Sequence, residues 1–564
     1  MITKLLKRLQ ILFWLLPGFL LYASFPPMGE KTDIVFALAP LLWVARRDEV
    51  KKATRTWFLA GLVFWVGTLA WMPAIVKNGG PWPLVVLGWG ALAAYCALYF
   101  AAFGFLAAKF WHWANRGECG EAPAYWKRLV GLVIVEPILW AGLELVRSRF
   151  GGGFAWNQLG VAAVNAGFGA PAALGGVYLL SALVVLVNGT ITSIAERMLE
   201  PILPLKRKAP DGFPVAPLAV PRWARSVETF LPLFLVWAVF KLPSFISCPS
   251  SIAFHSSSLS VALVQRDFPC VFKPQSERPL DVYKRLLANV SPLKPDLVVL
   301  PESAMCEISE DEYFAAFVLH STGANALLSG TSRSDGTNLF NSVALYEPNP
   351  SSLLERIEYS ALRTQYYDKV HLVPFGEYIP GDKIVKALQK LAPVGSCTPG
   401  EPKLLELENG VKLGVAICYE DTDSALVGKL TAMGADALVF VTNDAWFSNS
   451  DETVSHAWQA VARAIETGLP VIRVGNSGVT GVVTPDGETN WLADAKGRPL
   501  VDREGTMFER VAVGAKGRTF YNIVGDIPLF VAFVLLLLVG FFGKVLKREG
   551  EDFTLNVKDF PKMK

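Results

Sequence analysis

The sequence predicts a multi-span α-helical membrane domain joined to an α/β soluble domain. Three observations predict it. The 564 residues are 52% hydrophobic and only 18% charged, with a mean hydropathy of +0.36, a membrane-protein composition. Apolar stretches of spanning length crowd the first 250 residues and recur once near the C-terminus. Between them, residues 250–520 are polar and alternate strand-like with helix-like patterns, which argues α/β architecture.

In chain order, residues 9–25 form a short apolar segment behind Lys4, Lys7 and Arg8. PPMGE follows in place of a small-residue cleavage site, so the segment reads as an uncleaved membrane element. Residues 34–45 are few for a span and suit half of a re-entrant hairpin. Clearer spans cover 57–76, 84–108, 129–146, 168–188, 227–246 and 523–542, which makes eight candidates. Residues 206–225, KRKAPDGFPVAPLAVPRWAR, read as an extended linker. Loops on one side carry 18 Lys and Arg, and short loops on the other carry 4. The positive-inside rule then makes both termini cytoplasmic and puts 250–520 on the outer face. The expected division is a membrane domain of about seven spans over 1–249, an extracytoplasmic catalytic domain over 250–520, a final transmembrane helix over 521–545 and a cytoplasmic tail over 546–564. The net charge of +3 is too small to point to nucleic acid.

Within 250–520, strands are expected at 259–264, 296–300, 326–331, 342–346, 411–417, 435–442, 471–474 and 481–484. Helices are expected at 280–290 and 310–319. Five of the seven Cys lie in this region or at its edge: Cys248, Cys270, Cys306, Cys397 and Cys418. On an oxidising face the first four can pair in three ways and leave Cys418 free. The five His have no ligand spacing and there is no CxxC, so neither a metal nor a cofactor is expected.

The chemistry centres on residues 411–421, VKLGVAICYED. An apolar strand ends abruptly at Cys418, followed by Tyr419, Glu420, Asp421 and a helix start over 422–433. A thiol at a helix N-terminus leans towards thiolate, although a lone Cys is ordinarily a buried packing residue. Two other stretches set this one apart. LVVLPE is an apolar strand ending on Glu302, and YYDKVHLVPFGEYIP carries Lys369 and Glu377. Sites in α/β folds gather at strand ends. Glu302 can take the thiol proton, Lys369 can stabilise an oxyanion and Cys418 can attack an acyl carbon. The backbone N–H of Tyr419 can join the oxyanion hole. Glu377 can orient Lys369 or hold a substrate ammonium. His371 offers either a Cys–His pair or a hydrogen-bonded structural residue. Strand 435–442 leads into Asn443, Asp444, Ala445, Trp446 and Phe447, where the aromatic pair suits a core or lipid chains. Glu144 and Arg147 end a span, and charges there are functional candidates unless the pair satisfies itself.

The three motifs resemble the Glu-Lys-Cys triad of the nitrilase superfamily, the carbon–nitrogen hydrolases. HLVPFGEYIP with ICYED and TNDAWF is similar in particular to the membrane branch of that superfamily, the apolipoprotein N-acyltransferases, and the resemblance extends through the membrane segments. It implies an α-β-β-α sandwich over 250–520 and a triad of Glu302, Lys369 and Cys418. It implies an essential Glu377, with Tyr419, Glu420, Asn443 and Trp446 binding or supporting substrate and the Tyr419 and Glu420 side chains shaping an acyl pocket. A triad without His leaves His371 structural. The Glu144–Arg147 motif and the outer loop with Trp156 and Asn157 would lie beneath the site. Two departures stand out. Ser448 and Asn449 follow NDAWF where the family usually has Gly-Asp. Arg266 follows Gln265 where it usually has Gly, and Pro274 stands where it has Trp, so Gln265 and Arg266 are expected to meet substrate differently.

The activity so implied is N-acylation of the N-terminal diacylglyceryl-cysteine of apolipoproteins, in two half-reactions through a thioester on Cys418. A phosphatidylethanolamine-like phospholipid would be the acyl donor and the diacylglyceryl apolipoproteins the acceptors. The location implied is the bacterial inner membrane with the catalytic domain periplasmic, and a monomer is expected. The residues themselves give a thiol–acyl site attached to a bilayer. They leave open a membrane-anchored nitrilase-type amidase, with water in place of the amine, and an inactive scaffold, against which the intact triad stands.

Overall fold

The computed structural model describes residues 15–25, 28, 33–77, 80–115, 125–199, 222–246, 257–268, 278–305, 311–349, 362–379, 397–447, 450–514 and 519–552. Cys248, Cys270, Cys306, Pro274, Ser448, Asn449 and the linker as far as residue 221 lie outside them, and so do the disulfide and linker expectations.

Four helices are long and apolar enough to cross a membrane: Trp82–Ala114, Tyr125–Gly152, Ala172–Leu199 and Trp223–Leu242. They answer the spans expected at 84–108, 129–146, 168–188 and 227–246. The other expected spans take different forms. Residues 33–47 make a 3-10 turn (Asp33–Val35) and a helix α1 (Ala39–Arg47). Nine residues rise only about 14 Å, well short of a bilayer core. Asn188 seats the start of α1 by accepting from the Leu38 and Ala39 N–H groups at 2.9 and 3.1 Å. The stretch expected at 57–76 divides instead into α2 (Val50–Thr68) and a short turn of helix, Ala74–Lys77. Pro73 has no N–H to continue the ladder. Next come α3 (Trp82–Ala114), α4 (Glu136–Arg149) and α5 (Ala172–Leu199). Within α5 the backbone leaves helical geometry at Gly175 and Gly176. Gly176 has φ +66°, and a Cβ there would meet the Tyr521 ring at 2.7 Å. Then follows α6 (Arg222–Ile246). The last apolar stretch breaks at Gly525, between Phe520–Val524 and a helix Ile527–Asp552.

Charged groups at one end of the helices are paired. Arg46 meets Glu136 at 2.6 Å, and Arg47 and Arg128 both meet Glu196 at 3.1 Å. Pairing removes most of the cost of placing such groups among apolar helices.

The described residues between Ser257 and Val513 include β1 (Ser257–Gln265), β2 (Leu297–Val299), β3 (Ala326–Ser334), β4 (Leu339–Pro348), β5 (Leu362–Asp368), β6 (Leu404–Glu406), β7 (Lys412–Ile417), β8 (Ala437–Asn443), β9 (Val471–Asn476), β10 (Gly481–Val483), β11 (Thr489–Trp491) and β12 (Gly505–Val513). They form two six-stranded sheets, ordered β12-β1-β2-β3-β4-β5 and β11-β10-β9-β8-β7-β6. The strands that carry the site are β2 (Leu297–Val299), β5 (Leu362–Asp368), β7 (Lys412–Ile417) and β8 (Ala437–Asn443). Their inner faces share one core, in which Val261, Val299, Leu328 and Val343 meet Leu413, Val415, Val439 and Ile472. Helices Pro279–Ala288 and Asp311–Thr322 cover the outer face of the first sheet through Tyr283, Leu286, Phe314 and Val318. Helices Ser424–Ala432 and Glu452–Thr467 cover the second through Val427, Ala460 and Ala464. This is the α-β-β-α sandwich.

Candidate active site

Three strand ends from two facing sheets converge. Glu302 follows β2 and Lys369 follows β5 in one sheet, while Cys418 follows β7 in the other. Gly330 on the neighbouring strand makes room for the turn after β2, since a Cβ there would lie 2.6 Å from the Glu302 Cα. All three residues are shielded from solvent: Glu302 is 6% exposed and Lys369 1%, while Cys418 is part-buried.

Lys369 Nζ lies 3.6 Å from Glu302 Oε1 and donates to Glu377 Oε1 at 2.9 Å. Asn341 donates from a single amide nitrogen to both carboxylates, at 2.7 Å to Glu302 and 2.6 Å to Glu377. The Asn443 N–H donates to the second Glu302 oxygen at 2.8 Å, and the Val373 N–H to the second Glu377 oxygen at 2.8 Å. The Asn443 side chain faces away, accepting from Asn476 at 2.7 Å. Asn443 thus acts through its backbone.

The electrostatics divide the two carboxylates. Burial, with Glu377 alongside, holds the Glu302 carboxyl above its ordinary range against the pull of Lys369. Burial works the same way on Glu377, but Lys369 and the donated hydrogen bonds win and its pKa falls. Burial would lower the Lys369 pKa, and Glu377 and Glu302 together raise it. Lys369 is therefore a fixed cation, Glu377 its fixed anion and Glu302 the group able to change charge.

The thiol corrects the sequence reading. Cys418 opens a five-residue 3-10 turn, Cys418–Thr422, and the α-helix begins only at Ser424 behind its cap Asp423. No helix dipole reaches the sulfur. Burial and the Glu302 carboxylate push the thiol well above its ordinary pKa. Cys418 is thereby held as a thiol beside the Glu302 carboxyl. Its backbone has φ +54°, a conformation that costs a non-glycine residue about 1–3 kcal/mol.

Glu420 pays back part of that cost. One oxygen accepts from the Val370 and His371 N–H groups at 2.7 and 3.0 Å, and the other from Ile417 N–H at 2.8 Å. The Tyr367 hydroxyl adds a fourth bond near 3.1 Å. Glu420 is fully buried, so it ties the Lys369 segment to the Cys418 strand rather than lining an acyl pocket. His371 binds Asp423 at 2.8 Å through Nδ1, which gives it the structural role.

Tyr419 points out of the sandwich into the helical part. Its hydroxyl accepts from Ala155 N–H at 3.2 Å and lies 3.3 Å from the Gly153 carbonyl. Its ring stacks on Phe154 and Trp156, each with centroids 6.4 Å apart. Glu144 and Arg147 shape this loop separately. Arg147 donates to the Phe154 and Trp156 carbonyls at 2.7 and 2.8 Å, while Glu144 accepts from Trp140 and Leu159 N–H at 2.9 and 3.1 Å. Trp446 is half-buried on the turn after β8, and Phe447 beside it meets Trp71 of the helical part at 4.6 Å. Gln265 and Arg266 are buried and bind backbone, Gln265 at Leu500 and Arg503 and Arg266 at Ser303. Arg266 braces the turn that carries Glu302, and Gln265 ties β1 to the segment Leu500–Arg503.

Sequence reasoning missed the layer behind the nucleophile. Asp421, Asp444, His456 and Arg473 are all buried there. Asp421 and Asp444 stand in the sequence only as members of ICYED and TNDAWF, and Arg473 as a charge inside the apolar run VIRV. Among the described residues, Asp444, Glu452 and His456 hold ligand atoms within 4.8 Å of one another, near enough for a metal ion. Arg473 already places its guanidinium on Asp421 at 2.7 Å and on Asp444 at 3.3 Å, which supplies the cation those carboxylates need.

Comparison with known proteins agrees with this geometry. Residues 17–190 match the family described as apolipoprotein N-acyltransferase N-terminal domain, and residues 260–504 match carbon-nitrogen hydrolase. An apolipoprotein N-acyltransferase of Geobacter metallireducens is 30% identical over 543 residues, covering 93% of each chain. The chain belongs to the apolipoprotein N-acyltransferase family. A relative of the same name from Pasteurella multocida is 27% identical over 539 residues, covering 93% of this chain and 94% of that one. Among solved structures, an amidase from Nesterenkonia sp. is similar over 47% of this chain and 94% of its own, at 19% identity and a TM-score of 0.33. The membership makes this an acyltransferase built on the carbon–nitrogen hydrolase fold and joined to membrane helices.

Proposed function

We propose that this chain transfers an acyl group from a phospholipid to the free α-amine of a diacylglyceryl-cysteine at a lipoprotein N-terminus. The observation that carries the reading is the convergence of Glu302, Lys369 and Cys418 in a buried site whose nucleophile turn is gripped by the helical part through Tyr419. In the first half-reaction Glu302 takes the Sγ–H proton as Cys418 attacks the ester carbonyl. Lys369 and the Tyr419 N–H stabilise the tetrahedral oxyanion. The C–O bond breaks, and the proton held by Glu302 goes to the departing lyso-lipid. In the second half-reaction the amine attacks the thioester, Glu302 takes the amine proton, the C–S bond breaks, Glu302 returns the proton to Sγ and an amide forms. Glu377, ionised and bound to Lys369, keeps the ammonium charged through both steps.

The high pKa of the thiol suits this order of events. Deprotonation is coupled to attack, so an unoccupied site does not carry an exposed thiolate. The donor we propose is a phosphatidylethanolamine-like phospholipid, a substrate suited to a chain with four helices long and apolar enough to cross a membrane. The expected setting is the inner membrane with residues 250–520 on the periplasmic side, the chain acting as a monomer.

Mass spectrometry of the purified chain incubated with phosphatidylethanolamine vesicles tests the mechanism. The expected result is an acyl adduct on Cys418, chased off by a diacylglyceryl-cysteine peptide, and absent in Cys418→Ser and Glu302→Gln. Lys369→Ala should slow both half-reactions by about 2.7–4 kcal/mol, the scale of one oxyanion donor. An unmodified Cys418 with continued turnover would exclude the thioester route.

A further inference from the structure

The buried cluster behind Cys418 has a geometry that the mechanism above does not use. His456 lies on the helix Glu452–Thr467 with its ring 1% exposed. Its Nδ1 is 3.0 Å from Asp444 Oδ1. Its Nε2 is 3.0 Å from Asp421 Oδ1 and 3.3 Å from the Cys418 carbonyl oxygen. Every one of these partners is an acceptor. A neutral imidazole can donate from only one nitrogen, so the arrangement is satisfied only by the imidazolium.

The charged groups around the ring are Asp421, Asp444, Glu452 and Arg473, and the two aspartates support that state against Arg473. Asp421 and Asp444 share Arg473, and Asp444 also accepts from the Thr442 hydroxyl at 2.6 Å. Glu452 Oε1 is 3.6 Å from Nδ1. Burial and the Asp444 charge push the Glu452 carboxyl up to about 8, so it is neutral at pH 7. Two cations then balance two anions. Burial and the nearby Arg473 guanidinium would lower the His456 pKa, but Asp421 and Asp444 overcome them and raise it to about 10. Trp156 from the loop of the helical part closes the remaining side, its ring 5.5 Å from the imidazole, a distance at which an aromatic face favours a cation.

The consequence follows from the planarity of the peptide bond. The Cys418 carbonyl and the Tyr419 N–H belong to one trans peptide unit, so they point in opposite directions. Anchoring the carbonyl inward on His456 turns the Tyr419 N–H outward, away from the cluster. We propose that His456 is a positioning residue: held as a cation between Asp421 and Asp444, it fixes the Cys418–Tyr419 peptide so that the Tyr419 N–H stays aimed at the acyl oxygen. This rests on the acyl-transfer reading, in which that N–H is an oxyanion donor. It also gives the helical part a role beyond anchoring. The loop 153–157 holds both sides of the nucleophile turn, Tyr419 by hydrogen bonds and His456 by Trp156.

The test uses the full chain in detergent and in phosphatidylethanolamine vesicles. With five His in the chain, isotope-labelled imidazoles can be followed by NMR and the His456 signal assigned by its loss in His456→Gln. It should remain that of an imidazolium at pH 8.5, and a neutral ring at that pH would overturn the proposal. Single-turnover acylation of Cys418 should fall about a hundredfold in His456→Leu, the scale of one lost oxyanion donor, and by about tenfold in His456→Gln, which keeps one N–H donor. Alkylation of Cys418 by iodoacetamide, which forms no oxyanion, should change less than about twofold in the same variants. Equal losses in acylation and alkylation, or unaltered acylation in His456→Leu, would overturn it. Should His456→Leu fail to fold, Trp156→Leu carries the test, with the same selective loss of acylation over alkylation expected and a parallel loss overturning it. An absent acyl adduct in the unaltered chain is a separate result and counts against the acyl-transfer reading, whereas the NMR outcome bears on His456 alone.

Discussion

Asn341 joins the two carboxylates of the site through one amide nitrogen, at 2.7 Å to Glu302 and 2.6 Å to Glu377. A donor of this kind favours the ionised form of each. Glu377 has the opposite influence on Glu302, because a second negative charge raises its pKa. Two substitutions should therefore move the acidic limb of the acylation rate in opposite directions. In Asn341→Leu the Glu302 carboxyl loses a bond to its charged form, its pKa rises further and the limb moves to higher pH. In Glu377→Gln the repelling charge goes, and the limb moves to lower pH. Lys369 also loses its strongest raising partner there, so the alkaline limb should fall as well. Shifts of about one pH unit are expected, read from single-turnover acylation of Cys418 against pH. Movement of both acidic limbs in one direction would remove Glu302 as the base.

At the scale of the element, the turn Cys418–Thr422 carries a backbone conformation it would not adopt alone, with φ +54° at Cys418. Glu420 holds it, through three backbone N–H groups drawn from two segments. Glu420→Ala leaves those donors buried and unpaired, and should lower stability by on the order of 3 kcal/mol. Thermal unfolding measures this, and a melting curve equal to that of the unaltered chain would deny the turn its dependence on Glu420. A second element is the break in α5. There the Val177 N–H, released from the helix ladder, donates to Glu466 Oε1 at 2.7 Å from the catalytic part. Gly176→Ala meets both a positive φ and the Tyr521 ring. It should cost about 1–3 kcal/mol, seen as a lower melting temperature. Unchanged melting would show the break to be tolerant.

Across the whole molecule, an aromatic and ionic seam joins the sandwich to the helices. Trp71, Trp156, Phe154 and Tyr419 form one run of ring contacts. Arg149 at the end of α4 binds Asp423 at 2.8 Å and Asp526 at 2.7 Å, tying the nucleophile turn to the base of the last helix. Arg149 and Glu136 stand at opposite ends of α4, Glu136 paired with Arg46. The Lys and Arg asymmetry predicts an active site on one side of the membrane and a basic end on the other. Reporter fusions at Gly336 and Gly212 should therefore report opposite sides, with Gly336 outside. A cytoplasmic report from Gly336 would deny the acceptor access to the site.

The sequence by itself determined the two-part architecture, because burial on both faces writes a strand as an unbroken apolar run and a membrane helix as a longer one. It also marked Glu302 and Cys418, since a charge or thiol stands out where such a run stops, and Lys369 through the motif YYDKVHLVPFGEYIP. Edge strands escaped it. β5 (LRTQYYD) and β12 (Gly505–Val513) are only partly buried, so solvent tolerates polar residues along them and erases the pattern. What only the tertiary structure decided was the charge state and aim of the nucleophile. The sequence suggested a thiolate at a helix start, whereas the fold inserts a 3-10 turn, buries the sulfur and raises its pKa. Asn341, Asp421, Asp444, His456 and Arg473 meet partners on other elements of the sandwich, and Tyr419 meets Ala155 in the helical part, and none carries a local signal for its partner. Their roles exist only once the two sheets close on each other and the loop 153–157 closes on both, because burial and pairing, not residue type, set what each group can do.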